Sequence, residues 1–274
     1  GLVIAALARA GSSFGREGYV RAAREAADFV ENRLRDSGGR LLHRWRDGAA
    51  GIEAFADDIA FLTWGLLELH QATQDHRRLE SAMDLMDDLQ ERFGSEYSAL
   101  YSISAEDSQL PTRPREVGDG ALPSANSVVL QNLHRLWRLT GRPRFRQRLD
   151  GLLAEYAQHT AAAPSAYAMA MAALEEILAP QVDVVVAGEG TDPATSSLLE
   201  AARRWSGESI MILLREPGDS LLPQLASHAA NTELLDGKPA AYVCRDFSCG
   251  LPVTDAEELR GLLTGLQDSG SSLR

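Results

Sequence analysis

Two kinds of apolar segment alternate along the first part of the chain. From Gly1 to Ala10 apolar residues fill nearly every helical face apart from Arg9, which predicts a buried helix. After a Gly-Ser-rich turn, Tyr19 to Leu34 sets Tyr19, Ala23, Ala26, Val30 and Leu34 on one stripe. Arg21, Arg24, Glu25, Asp28 and Glu31 lie largely off it, which predicts a half-exposed helix. The pair recurs as Ile59 to Leu69 with Leu79 to Phe93, and as Ser124 to Leu139 with Pro143 to Tyr156. Short joints at 9–11, 71–73 and 139–141 make each pair an antiparallel hairpin. The links at 36–55 and 94–123 are long and hold strand-like runs at 41–45 and 99–103. Buried helix, short turn, amphipathic helix, long loop is the order of an α/α toroid, with inner helices ringed by outer ones.

Ala166 to Leu178 adds one more apolar helix, stopped by Pro180, and then the period changes. Val182–Ala187, Ile210–Leu214 and Ala240–Cys244 read as strands. They alternate with helices opening at Asp192-Pro193, at Leu221 and at a capping box formed by Thr254 and Glu257. This alternation predicts a small α/β unit with parallel strands. The expected division is an α/α portion over 1–179 and the α/β unit over 180–274.

Composition narrows the function. A formal charge of −12 argues against a non-specific nucleic-acid binder, which needs clustered Lys and Arg. Lys238 is the only lysine and lies in the turn-like Asp236-Gly-Lys-Pro, so Schiff-base chemistry has one poor candidate. No apolar run reaches the roughly 18–20 residues that span a bilayer, which points to a soluble protein without a membrane partner. Two cysteines, Cys244 and Cys249, make no disulfide framework for 274 residues and fit a cytoplasmic setting. The six histidines show no metal spacing, and no cofactor or metal is expected.

Four blocks carry a resemblance. Gly1-Leu-Val-Ile-Ala-Ala-Leu-Ala8, Asp57-Asp-Ile-Ala-Phe-Leu62 with Gly65-Leu-Leu-Glu-Leu69, Asp119-Gly-Ala-Leu-Pro-Ser-Ala-Asn-Ser127, and Ala241-Tyr-Val-Cys-Arg-Asp-Phe-Ser-Cys249 with Pro252-Val-Thr-Asp255 stand in one order. In these the chain resembles the C-terminal half of the spermatogenesis-associated, thioredoxin-domain-containing proteins. The resemblance implies a partial six-hairpin toroid similar to glycosidases and N-acylglucosamine 2-epimerases, with a thioredoxin-like domain upstream as a partner in the full-length chain. The chain begins inside an apolar helix without Met, so it is expected to be a piece of a longer protein with an open ring. Where the family usually has Tyr, this chain has Ile59, which is expected to remove a phenol from the cavity.

The candidate chemistry lies at helix entrances. Asp57 and Asp58 begin an inner helix, where paired carboxylates serve as acid and base on a sugar, or else as cap and dipole partner. Asp119 is the third candidate acid–base group. Ser124 reads foremost as a cap, and Asn126, inside a first turn where Asn has little helical reason to be, as a substrate ligand. Arg113, Arg44 and His43 are further substrate-binding candidates on the long loops, with Arg forks suited to hydroxyl-rich or anionic molecules, or else simply solvated. Cys244 and Cys249 read as two buried thiols, with a disulfide or transient redox pair as the alternative if the chain turns back between them. Gly188-Glu-Gly190 reads as a plain turn. The expected function is a carbohydrate-related toroid with carboxylates in its mouth acting on a small sugar-like substrate. The alternative is a non-catalytic redox or protein-quality partner that binds clients for the upstream domain.

Overall fold

The computed structural model describes residues 1–95, 99–104, 112–205 and 209–271. Its contacts divide the chain into two units, one of Gly1–His134 with Pro143–Glu175, the other of Arg135–Arg142 with Glu176–Arg274. Unlike a single cut after residue 179, this division places 135–142 with the second unit.

The first unit is built from helical hairpins. Helices α1 (Leu2–Phe14) and α3 (Ala56–Thr73) pack on one another, α1 also on α2 (Glu17–Arg33), and α3 also on α4 (His76–Phe93). Helix α3 is buried on most faces, as its apolar composition demands, whereas α2 buries only Ala23 and Ala27. A Cβ on Gly65 would lie 2.9 Å from the Gly1 carbonyl oxygen, so α1 and α3 meet at the backbone and tolerate no larger residue there. Helix α5 (Ala125–Thr140) joins the inner layer through Asn132, whose amide donates to the Ala60 carbonyl at 2.9 Å. The outer helices are linked by ion pairs: Arg78 of α4 with Asp28 and Glu31 of α2, and Arg144 and Arg148 of α6 (Pro143–Ala162) with Asp87 of α4. Apolar inner helices and charge-linked outer ones are the toroid order that the hydrophobic pattern predicts.

Three local differences have plain causes. The turn expected at Gly11 falls instead at Gly15 (φ 61), because Gly11 is a contact glycine: a Cβ there would meet Val20 Cγ2 at 2.6 Å. The strand-like run at 41–45 becomes a hairpin, β1 (Leu42–Arg46) with β2 (Ala49–Glu53), turned by Asp47 and Gly48 at φ 52 and 82. The run at 99–103 forms no strand, because Leu100 exchanges both its backbone bonds with the Asn126 side chain. After α6 a short 3-10 turn leads into α7 (Ala168–Leu178).

In the second unit β3 (Val182–Ala187) pairs in parallel with β4 (Ile210–Arg215), as the sequence predicts. The next strand, β5 (Ala240–Arg245), pairs with β3 antiparallel, and β6 (Ser248–Cys249) turns back on β5, so the sheet is mixed. The reason is the length of the link. Ala187 lies opposite both Arg215, the end of β4, and Ala240, the start of β5, so the chain crosses one end of β3 and never returns to the other. The intervening helical run shrinks to α9 (Leu222–Leu225) and a 3-10 turn. Val182, Val184 and Val186 pack on α8 (Pro193–Arg203) and α10 (Ala256–Ser271), where Leu198, Leu199, Leu259 and Leu263 complete a core. Asp192 caps α8, and Asp255, one residue past the expected Thr254, caps α10 by accepting from the Glu257 and Glu258 amides.

Candidate functional site

The first candidate lies where the β1–β2 hairpin meets the entrance of α3. Asp58 occupies the third helical position, where its Oδ2 accepts the Phe55 amide at 2.9 Å and so closes the first turn. The same oxygen contacts His43 Nδ1 at 2.7 Å, across fifteen residues, because β1 carries the imidazole over the helix entrance. The Phe55 ring stands edge-on to the imidazole at 5.2 Å. Both side chains of the pair reach water, 41% exposed for His43 and 25% for Asp58. Asp57 accepts the Asp58 amide at 3.0 Å. Partial removal from water, and then the neighbouring Asp58 charge, raise the Asp57 carboxyl above its ordinary range. Between the hairpin pairs Leu42–Glu53 and Arg44–Gly51, Ile52 sits at φ 63, a strained conformation for a β-branched residue. Ile59 is fully buried, so a side chain there faces the core rather than this surface.

The entrance of α5 holds the same residue types in a different state. Asp119 Oδ1 accepts the Ser124 amide at 2.9 Å, and its Oδ2 accepts the Met169 amide, in the first turn of α7, at 2.8 Å. Ser124 is the cap of α5: its Oγ accepts the Ser127 amide at 3.1 Å and donates toward the Val117 carbonyl at 3.2 Å. Asn126 is 2% exposed, and its side chain binds the backbone of Leu100 and the Glu116 carbonyl. It ties Leu100 and Glu116 to the start of α5, and among the described residues its side-chain bonds run to main chain. Tyr156, unremarked in the sequence, closes the cluster by donating to the Val117 carbonyl at 2.8 Å beside both serine hydroxyls, and burial pushes its phenol up to about 12.

The arginines divide in the same way. Arg113 donates to the carbonyls of Arg92 and Ile103 and lies over the Tyr101 ring at 4.0 Å, so its fork holds the loop together. Arg44 stays exposed on β1. The structure therefore brings His43, Asp57 and Asp58 together and leaves Asp119, Ser124, Asn126 and Arg113 as a separate structural cluster. Asp47-Gly48 was the signal that would have announced the hairpin and set His43 over Asp58. Cys244 and Cys249 are a disulfide rather than two thiols, because the two-residue turn at Asp246 and Phe247 sets them directly opposite each other. That bond removes the free thiols on which a reducing compartment was expected. Among the described residues no three His, Cys, Asp or Glu side chains gather as metal ligands, and no helix is long and apolar enough to cross a membrane.

Over 96% of its length the chain is 30% identical to spermatogenesis-associated protein 20 of Rattus norvegicus and 29% identical to that of Homo sapiens. The chain is similar, along nearly its whole length, to part of spermatogenesis-associated protein 20. It spans 35% of the length of each of these relatives. No family model matches the chain. Among solved structures, the cellobiose 2-epimerase of Spirochaeta thermophila superposes with a TM-score of 0.44 at 23% identity, over 58% of this chain and 43% of that one.

Proposed function

We propose that the first unit carries an acid–base site for a hydroxyl-rich, sugar-like small molecule, with His43 and Asp58 as the proton-handling pair and Asp57 as a second carboxyl. The observation that carries this reading is the 2.7 Å contact of His43 Nδ1 with Asp58 on a water-accessible surface. A carboxylate on Nδ1 fixes the imidazole and leaves Nε2 to exchange a proton with a bound molecule. Two features support it. Phe55 exposes a ring edge-on to His43, a surface on which a sugar face stacks, and Trp45, two residues on along β1, is exposed with its ring edge-on to Phe29. Ile52 holds a strained backbone opposite His43, and such strain clusters at functional positions. Asp119, Asn126 and Arg113 belong to the supporting frame, and Arg44, next to His43 on β1, leaves the strand on the opposite face.

A second reading, the binding of unfolded or apolar clients for a partner domain, is favoured by one observation: Val3, Phe14, Phe29 and Ile52 all present apolar surface on the first unit. A thermal-shift screen against sugars, sugar phosphates and unfolded peptides separates the two. A rise in melting temperature with one sugar class, lost in Asp58→Asn and in His43→Gln, supports the acid–base site. A rise with peptides alone, unaffected by either substitution, overturns it in favour of the client binder.

A further inference from the structure

In the second unit β3 sends its valines toward α8 and α10 and turns Asp183 to the opposite face of the sheet. Asp183 is paired across the ladder with Cys244, and directly opposed residues of antiparallel strands share a face with their Cβ atoms about 4.5–5.5 Å apart. Cys244 in turn opposes Cys249, its disulfide partner. The two sulfurs differ in access: Cys244 is fully buried, while Cys249 lies partly exposed on the edge strand β6. The turn between them is held from outside. Phe247 takes a φ of 62 with its ring edge-on to Trp137 at 5.5 Å and to His228 at 5.3 Å. These contacts, with the β3–β5 ladder, do not depend on the disulfide, so the hairpin keeps the two sulfurs opposite each other when the bond is cut. A loop this short also gains little from a cross-link. Both features suit a bond that opens and closes in the native protein.

We propose that Cys244 and Cys249 form a thiol–disulfide exchange site whose co-substrate is a dithiol, with Cys249 as the sulfur attacked. A thiolate of the dithiol bonds to Cys249 Sγ as the Cys249–Cys244 bond breaks, and the electron pair leaves on Cys244 Sγ. Asp183 supplies the proton that this sulfur takes, and regains one from solvent. The second thiolate of the dithiol then attacks the mixed disulfide, releasing Cys249. The chain gains two electrons and two protons, and the dithiol becomes a disulfide. The reverse reaction reoxidises the site with any disulfide of higher potential.

The groups around the pair fit these roles. Asp183 is 8% exposed, its Oδ1 accepts from Arg138 Nη2 at 2.6 Å, and Arg138 is itself 1% exposed. Burial outweighs the Arg138 charge and, with Asp246 nearby, raises the Asp183 carboxyl above its ordinary range. His228, against the turn, is held below its ordinary range by burial and stays neutral.

The test uses the intact chain under native conditions, in mixtures of reduced and oxidised dithiothreitol, with free thiols alkylated and located by mass spectrometry. The expected result is complete, reversible opening of the bond with unchanged circular dichroism. With the monothiol glutathione in place of dithiothreitol no second thiol releases the adduct, and the mixed disulfide is expected on Cys249. Asp183→Asn is expected to slow opening about tenfold at neutral pH. A bond that opens only in denaturant, or a first adduct on Cys244, overturns the exchange site. An Asp183→Asn protein with a native spectrum and an unchanged rate overturns the proton route. Should the substituted chains fail to fold, the wild-type titration alone decides whether the bond is exchangeable.

Discussion

The entrances of α3 and α5 start from the same materials, a carboxylate before or within a first helical turn and a polar loop ahead of it, yet they end in opposite states. At α5 both oxygens of Asp119 bind main-chain amides, and one of those amides belongs to α7. At α3 Asp58 binds one amide and shares the same oxygen with the imidazole of His43, in reach of water. The difference is what lies across the entrance. Over α3 lies a β-hairpin, whose own ladder already pairs its backbone, so only a side chain approaches the carboxylate. At α5 the neighbouring backbone is not laddered: Leu100 and Glu116 take up Asn126, the Ile103 carbonyl takes up Arg113, and the Ser124 and Met169 amides take up Asp119. A carboxylate at a helix mouth becomes available for chemistry only where the neighbouring backbone has no need of it.

The largest expected effect tests the α5 side. Asp119→Ala leaves the Ser124 and Met169 amides without their charged acceptor and is expected to destabilise the chain by about 3 kcal/mol. A fall in the denaturant midpoint, with faster hydrogen exchange at those two amides, would show it. An unchanged midpoint would break the contrast, because Asp119 would then be as dispensable to the frame as Asp58. Asn126→Ala is expected to follow the same pattern for Leu100 and Glu116.

The contrast also marks what the sequence could yield. Signals confined to a few residues were readable: Val182–Ala187 as a buried strand, Asp192 and Ser124 as caps, the inner and outer stripes of each hairpin. Partnerships across long stretches were not. Asn126 reads as a ligand candidate because nothing in its own helix explains it, and its bonds to Leu100 span 26 residues. Asp119 reaches Met169 across 50 residues. The antiparallel entry of β5 depended on where β4 ends, which alternating period alone does not specify. His43 and Asp58 were each singled out, but their pairing needed the hairpin that Asp47-Gly48 makes.

The far end of α3 supplies a second contrast, between the exposed His43 and a buried imidazole. His70 has no exposed surface; it accepts from the Gln71 amide at Nδ1, 3.2 Å away, which leaves Nε2 to donate to His76 Nδ1 at 3.1 Å. Burial, and then His76, push it down to about 3. With its folded value below the unfolded one, the unfolded chain takes the proton first. Stability should therefore fall by about 1.4 kcal/mol per pH unit from this group as pH drops below roughly 6.5, until about pH 3. Denaturation midpoints across that range should flatten in His70→Gln. An equally steep loss in that variant would place the acid sensitivity elsewhere. On the α3 entrance, by contrast, Asp58→Asn should cost less than about 1 kcal/mol, since its contact with His43 is solvent-exposed, and a loss comparable to that of Asp119→Ala would make Asp58 a frame residue too.

The smallest expected effect separates the causes acting on Asp57. Its carboxyl is raised first by partial burial and second by the Asp58 charge, with the Asp57 and Asp58 backbone amides and His43 opposing. In Asp58→Asn the second cause disappears and the first remains. A carbon-13 titration of the Asp57 carboxyl should then move toward the ordinary value but stop short of it. Because a raised folded-state value means that the native chain holds this proton more tightly than the unfolded one, Asp57 stabilises the fold at low pH and loses that contribution as pH rises through its titration. The loss should be shallower in Asp58→Asn. A titration unmoved by the substitution would mean that the two carboxylates do not sense each other, and the α3 entrance would hold one acid–base pair and a bystander. A full return to the ordinary value would mean that charge, not burial, sets Asp57, and that the entrance is as open to water as a solvated loop.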